Sequence, residues 1–505
     1  MNIINKICSE FEKSGIKYCH FKSNQHLDKS FEGKSDFDIL ADYRKKTQVD
    51  IILAQCECKR FETVKINNYP GVENWLAFDY ETGILYHIHL HFQLATGLVH
   101  VKEYILPWRD LILESAIRSS EFGIMISDPN VEMLILLTRM IVKANTKSKI
   151  KSFFGFYHLA DGMQREYNYL KDRIDLDILL RYAGEIYGVK TVNVIKYIIN
   201  ENRVNSNLFR KLNRCLRKEL NVFKRISFLK AKINSTYISA VVFKSKVYKK
   251  LDRFHVSKKT TASGGKIIAF IGVDGSGKST LSKEIVLWLK KIESKKIYMG
   301  AGDGAQNLVH KVIKGAQRKY RKRKRDAIAV TIENSLNKIE KKLSLFGNPK
   351  KFLIKIINCM SIYNVVKNNH KRLINMNRYR LNGGFSVLDR YPQIQQENMN
   401  DGIKLKKYAN ETDSFLVRYM ANREMKFMRI VNEIQPDIVF RLNISIESCM
   451  NRKEHNSTSY GYFKSKLESV KQIKFPNSIL FEIDAEQKIE DEILQIKRLI
   501  WDNIG

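Results

Sequence analysis

With 505 residues, 44% of them hydrophobic and only 7 proline, the chain exceeds one ordinary domain and can build proper cores; about three domains is the expectation at ~150 residues each. Its 88 Lys and Arg against 53 Asp and Glu leave a formal net charge of +35, which suits polyanionic partners: nucleic acid, anionic lipid headgroups or charged polymer. Seven scattered cysteines with no C-x-x-C exclude a disulfide framework and a cysteine-rich zinc site, and fit a reducing cytoplasm. No apolar run is long enough to cross a membrane. The longest candidate, Val131 to Val142, contains Glu132 and Arg139 and reads as a buried helix. Met1 to Glu10 lacks the apolar core of a signal peptide. A cytoplasmic protein is expected, at most peripheral to the membrane.

Taken in chain order, residues 1–125 mix short strands and helices. Tyr18 to Asn24 reads as a strand entering a loop. Gly33-Lys-Ser-Asp-Phe-Asp-Ile-Leu40 then places Asp36 and Asp38 two apart at the start of an apolar strand. At period two both carboxylates point to one face, where paired acids can hold a divalent metal against a triphosphate. Leu85 to Phe92 reads as a strand carrying His87, His89 and His91 on one face. A third metal ligand from His89 is chemically open. One ion shared by all three histidines is not expected, because positions i, i+2 and i+4 of a strand spread over about 13 Å at ~3.3 Å per residue.

Residues 126–262 read as a largely helical connector. Its last part, 203–262, holds 17 Lys and Arg against Glu219 and Asp252. Ser257 to Lys266, rich in Ser, Thr and Gly, reads as a linker.

From Lys266 onward strands alternate with helices, the pattern of a parallel sheet. Ile267 to Ile271 is an apolar strand. It runs into Gly272-Val273-Asp274-Gly275-Ser276-Gly277-Lys278-Ser279, which fits G-x-x-x-x-G-K-[ST], and a helical pattern follows from Thr280 to Leu289. In that context the glycines let backbone N–H groups surround a phosphate, Lys278 reaches the β- and γ-phosphates, and Ser279 holds Mg²⁺. ATP and Mg²⁺ are the expected cofactors. A basic helical stretch, 305–381, interrupts the alternation and contains the block Arg318 to Arg325. Phe385-Ser-Val-Leu-Asp-Arg-Tyr391 is a strand ending in Asp389 and Arg390, one able to serve the metal and the other to clamp phosphate. A strand from Pro436, a helical segment Ile446 to Arg452, a last strand Ser478 to Ala485 and an amphipathic helix Ile489 to Ile500 complete the series.

In this order, the Gly272–Thr280 loop, Asp389-Arg390-Tyr391, Pro436-Asp437, Arg452-Lys453 and Phe481-Glu-Ile-Asp-Ala485 resemble the thymidylate kinase family of P-loop kinases, over about residues 265–505. The resemblance implies transfer of a γ-phosphoryl group from ATP. Lys278, Asp389, Arg390 and Arg452 would be catalytic. Gly272, Asp274, Gly275, Ser276, Gly277, Lys278, Ser279 and Thr280 would bind nucleotide, and Ser279 and Asp389 the metal. Two departures, the 305–381 stretch and Asn443 at a strand end where the family often has Asp, separate donor from acceptor. They leave a nucleotide, a sugar or a polymer-linked acceptor open. Residues 1–125 resemble the nucleotidyltransferase superfamily, whose Gly-Ser loop precedes an Asp-x-Asp pair; histidines stand where the family's third carboxylate would be. That implies either metal at Asp36 and Asp38 with nucleotidyl transfer, or a degenerate binding or substrate-presenting domain. The expected architecture is therefore a multidomain α/β protein. It joins an α+β nucleotidyltransferase-like domain (1–125), a basic helical connector (126–262) and a P-loop domain (263–505). Alternatives are a nucleic-acid end-processing enzyme that uses the basic segments 203–262 and 318–325, and a non-catalytic ATP-binding switch.

Overall fold

The computed structural model describes residues 2–64, 68–144, 146–156, 159–201, 204–250, 256–299, 349–396, 402–411, 414–452 and 460–504. The basic block 318–325, most of the stretch before residue 349, and Lys453 lie outside the described residues. The chain divides into two compact units, Met1–Ala262 with Trp501–Asn503, and Ser263–Ile500 with Ile504. Among the described residues no helix is long and apolar enough to cross a membrane.

The first unit is built on a mixed sheet. Its strands are β1 (Tyr18–His20), β2 (Phe37–Ala41), β3 (Lys59–Phe61), β4 (Val72–Phe78), β5 (Leu85–His91), the hairpin β6 (Leu94–Thr96) and β7 (Tyr104–Leu106), β8 (Ile117–Arg118) and β9 (Met125–Ile126). The seven-stranded order is β3-β4-β5-β2-β1-β9-β8, with β6 and β7 forming a separate ribbon. Strand β2 runs parallel to β5 and brings Asp38 opposite His89. One apolar cluster packs sheet residues such as Phe37, Ile39 and Ile88 against helices α1 (Ile3–Lys13) and α2 (Lys46–Gln55). A second cluster joins Cys19, Phe21 and Leu40 to the helices that follow: α3 (Pro129–Val142), α4 (Asp161–Lys171), α5 (Leu176–Ile186), α6 (Val189–Asn200) and α7 (Ser206–Glu219). Residues on either side of position 125 thus share one core. Helix α3 starts where Asp128 accepts a hydrogen bond from Asn130 N–H and Pro129 occupies the first turn. Helix α8 (Phe228–Lys250) continues the basic region.

The second unit carries five parallel strands in the order β11-β12-β10-β13-β14: β10 (Ile267–Ile271), β11 (Ser294–Tyr298), β12 (Phe385–Asp389), β13 (Ile438–Asn443) and β14 (Ile479–Asp484). Every residue of β10 and β12 is buried, as expected of strands covered on both faces. Its helices include α9 (Lys278–Trp288), α10 (Pro349–Leu381), α11 (Phe415–Glu433), α12 (Ile446–Asn451) and, as far as Ile500, α13 (Ile489–Asn503). The described end of the 305–381 stretch is thus one 33-residue helix.

The boundary between the two units, Ala262 to Ser263, falls within the segment 257–266, which its composition marks as a linker. Thr260 exchanges two backbone hydrogen bonds with Glu62. Gly265 N–H donates to Arg380 O, and a Cβ at Gly265 would come within 2.0 Å of Gly384 O. Each end of the segment is thus tied by backbone contacts to the unit it adjoins.

Candidate functional site

Order reverses beside β10: its neighbours in the sheet are β12 and β13, and the phosphate loop leaves from its carboxyl end. Crevices at such a point bind ligands in open α/β sheets. The loop holds its shape through positions that tolerate no side chain. A Cβ at Gly272 would meet Ser276 Oγ at 2.6 Å, and Gly277, at φ +91°, turns the chain into α9 from the left-handed region. Lys278 folds back over the loop and donates to Gly272 O at 3.0 Å and Val273 O at 2.5 Å, with Ser276 Oγ at 3.4 Å. Thr280 lies exposed on the first turn of α9.

The expected partners from the neighbouring strand arrive at the same place. Ser279 Oγ donates a short hydrogen bond to Asp389 Oδ2. Asp389 is 3% exposed, and its other oxygen, Oδ1, is buried without a hydrogen-bond partner. A hydroxyl and a carboxylate with an open lone pair are hard oxygen donors that fit Mg²⁺. Arg390 forms a 2.5 Å ion pair with Asp274 and has φ +83°, outside the ordinary range for a residue with a Cβ. Arg452 crosses from the end of α12 to donate to Ala485 O at 2.9 Å, and one of its nitrogens lies 3.5 Å from Gly275 O. The loop, Asp389, Arg390 and Arg452 therefore lie together at the carboxyl edge of the sheet.

Two marks have other places. Asp437 sits at the opposite end of the sheet, where it accepts from Ile267 N–H at 2.7 Å and from Arg380 at 3.2 Å. Tyr391 is buried and bonds the Ile434 carbonyl. Both hold the sheet together. One residue that the motifs did not indicate joins the crevice: Lys296 on β11 donates to Ser279 O at 2.8 Å. Burial lowers its pKa, against the pull of the nearby Asp389 carboxylate. In the sequence it is one of two adjacent lysines in Ser294–Tyr298, which marks no function.

The first unit separates the two expected acids. Asp36, half exposed, pairs with His87 Nδ1 at 2.8 Å. Asp38 faces His89 Nδ1 at 3.2 Å and His91 Nε2 at 3.4 Å, and these three form the one metal-capable group among the described residues. The anticipated Asp36–Asp38 pair is therefore not one ligand set; the parallel pairing of β2 and β5 assigns each acid its own histidine neighbours. Lys22 Nζ already meets Asp38 at 2.8 Å. Burial pushes the Asp38 carboxyl up, but Lys22 and the two histidines outweigh it and hold the group well below the usual carboxylate range. Burial also keeps the imidazoles neutral, lowering His87 to about 4 and His91 to about 3. Behind them, Glu132 accepts from Asn24 N–H at 3.1 Å and Asn24 Nδ2 at 2.6 Å, and burial raises it to about 7.

No family model matches the chain. Two curated *Escherichia coli* K12 proteins, both described as uncharacterized ATP-binding proteins, are similar over 46% of it. YghR is 22% identical over 240 residues, 86% of its length, and YghS 25% identical over 235 residues, 90% of its length. Among solved structures, deoxyadenosine kinase from *Mycoplasma mycoides* bound to dCTP aligns over 46% of this chain and 98% of its own, at 16% identity and a TM-score of 0.24. Thymidylate kinase from *Candida albicans* aligns over 48% and 92%, at 14% identity and a TM-score of 0.25.

Proposed function

We propose that the Ser263–Ile500 unit is a kinase that moves the γ-phosphoryl group of ATP to a nucleotide, sugar or polymer-linked acceptor. The observation that carries this reading is the meeting of Ser279 and Asp389 at the carboxyl edge of the sheet, beside Lys278. The *E. coli* relatives, named as ATP-binding, support ATP as donor. On nucleotide binding, Lys278 exchanges the loop carbonyls for the β- and γ-phosphates. Ser279 and Asp389 would hold Mg²⁺, which when bound would neutralise the phosphate oxygens. Arg390, anchored by Asp274, faces the migrating group, and Arg452 covers the loop. The acceptor oxygen attacks γ-phosphorus, ADP leaves, and the acceptor proton passes to Asp389 or to solvent. Such transfer relies on positioning and charge neutralisation more than on covalent chemistry. The test is γ-labelled ATP with Mg²⁺ and a panel of nucleoside monophosphates, sugars, glycolipids and nucleic-acid ends. Label should move to one acceptor class, and Lys278→Ala should abolish it. Bound ATP with neither transfer nor hydrolysis would make the unit a nucleotide-responsive switch instead.

Helix α8 favours an anionic membrane over nucleic acid as the partner of the basic segment. Leu229, Ile233, Tyr237 and Phe243 are each at least 67% exposed. They stand among the exposed Lys230, Lys232, Lys244 and Lys246, apolar and basic side chains being mixed around the helix rather than parted onto two faces. Exposed apolar side chains beside lysines suit a headgroup interface, which takes up both. Co-sedimentation with phosphatidylserine vesicles, weakened by Leu229→Ser with Ile233→Ser, tests it; equal binding to RNA in both proteins would reverse the preference. In the first unit, the Lys22–Asp38 pair supports a substrate-binding role rather than nucleotidyl transfer.

A further inference from the structure

The end of β1, the β6–β7 hairpin and helix α3 line a pocket in the first unit that is partly open to solvent. Four cations line it: Lys22, Lys102, Arg139 and Lys143. Two have carboxylate partners, Lys22 with Asp38 at 2.8 Å and Arg139 with Glu166 at 2.8 Å. Among the described residues, neither Lys102 nor Lys143 has a carboxylate within ion-pair distance. Four cations against two ion-paired carboxylates leave an excess of positive charge at the pocket. Thr96 and apolar side chains, Trp108 and Leu106 among them, form the rest of the lining.

Such a gathering is unfavourable in the empty protein. Buried charges are ordinarily paired, and like charges in a partly desolvated space repel. The lysines register this: burial, and then Arg139, Lys102 and Lys22, push Lys143 down to about 7, and Lys102 is lowered for similar reasons. The backbone is held for the same purpose. Five non-glycine residues among those described have positive φ, and three of them flank the cavity's cations: Ser23 at 62°, His100 at 69° and Lys102 itself at 50°. Strain of this kind persists where the surroundings impose it, and it clusters at ligand sites. Ser23 is tied by its N–H to Glu166 at 3.2 Å, the same carboxylate that fixes Arg139.

We propose that this cavity binds a small phosphorylated molecule, with its dianionic phosphate between Lys102 and Lys143 and its organic part against Trp108 and Leu106. A phosphomonoester carries close to two negative charges at neutral pH, which offset such an excess. Lys22 and Arg139 keep donors to spare, because an ammonium has three N–H groups and a guanidinium five. The site is separate from the phosphate loop and independent of the kinase reading.

Calorimetric titration of the full chain carrying Lys278→Ala, at low ionic strength, tests the site without the phosphate loop. The probes are inorganic phosphate, pyrophosphate, uridine monophosphate and glucose 1-phosphate. An organic phosphate should bind more tightly than inorganic phosphate; the reverse order would reassign the site to a free anion and overturn the role of Trp108. Lys102→Gln and Lys143→Gln should each weaken binding at least tenfold. Absence of binding by every probe, or affinity unchanged by both substitutions, would overturn the proposal. Lys143→Met supplies a control for folding. Relieving repulsion should raise the Tm of the unliganded protein while abolishing its rise on adding probe. A lower unliganded Tm would make Lys143 a packing residue and sink the idea.

Discussion

The two crevices that collect cations in this chain differ in what those cations do before any ligand arrives. At the phosphate loop each is engaged: Lys278 by the loop's own carbonyls, Arg390 by Asp274, Arg452 by Ala485. In the pocket of the first unit, Lys102 and Lys143 have no carboxylate within ion-pair distance among the described residues, and Asp38, Glu103 and Glu166 offset the crowding of cations only in part. The first arrangement is stable when empty, and a ligand must compete with internal hydrogen bonds. The second stores repulsion that a ligand relieves. A loop that binds and releases a nucleotide each cycle suits the former; a site meant to be filled suits the latter.

The sharpest way to break this contrast is at Asp389. Replacing it by Asn keeps the hydrogen bond from Ser279 and removes one charge. Phosphoryl transfer should fall on the order of 10²–10³-fold, with phosphate binding in the first unit unchanged, as read by kcat and by calorimetry on the same preparation. Transfer that survives would remove Asp389 from the metal site. Next in size is Asp38→Asn, which takes from Lys22 its partner in a pair whose side chains are only 19% exposed. Loss of one member of a buried pair costs about 3 kcal/mol, seen as a lower urea midpoint for the first unit. Because the folded Asp38 pKa is depressed, its contribution is full above the ordinary carboxylate pKa of about 4 and disappears as pH falls through the folded value. The two proteins should therefore converge in acid; a gap that persists there would deny the charge its role. The smallest effect is expected at Asp437. Asn there should cost about 1 kcal/mol through a weakened bond to Ile267 and leave turnover unaltered, which would separate the sheet's structural carboxylate from its chemical one.

Much of the second crevice was legible because its parts are contiguous in sequence or adjacent by a rule. The Gly272–Ser279 loop is one run of residues, and Asp389-Arg390 closes an apolar strand. A parallel sheet places such ends together. Pro436-Asp437 marks a strand without saying which end of the sheet the carboxylate occupies, and Asp437 lies at the end opposite the phosphate loop. In the first unit the spacing located Asp38 and the histidines but not their grouping, which depends on the parallel register of β2 with β5. The cavity was hidden altogether. Lys22 and Lys143 are separated by more than a hundred positions, and each alone reads as one more lysine in a basic chain. Only packing of α3 against the sheet makes them neighbours.

Arg390 illustrates a conflict between two kinds of fitness. Its left-handed backbone costs on the order of 1 kcal/mol that glycine would avoid, while its guanidinium ties Asp274 of the phosphate loop to the adjacent strand. A screen that rewarded folding yield alone would tolerate glycine at this position. A screen that rewarded turnover would discard it.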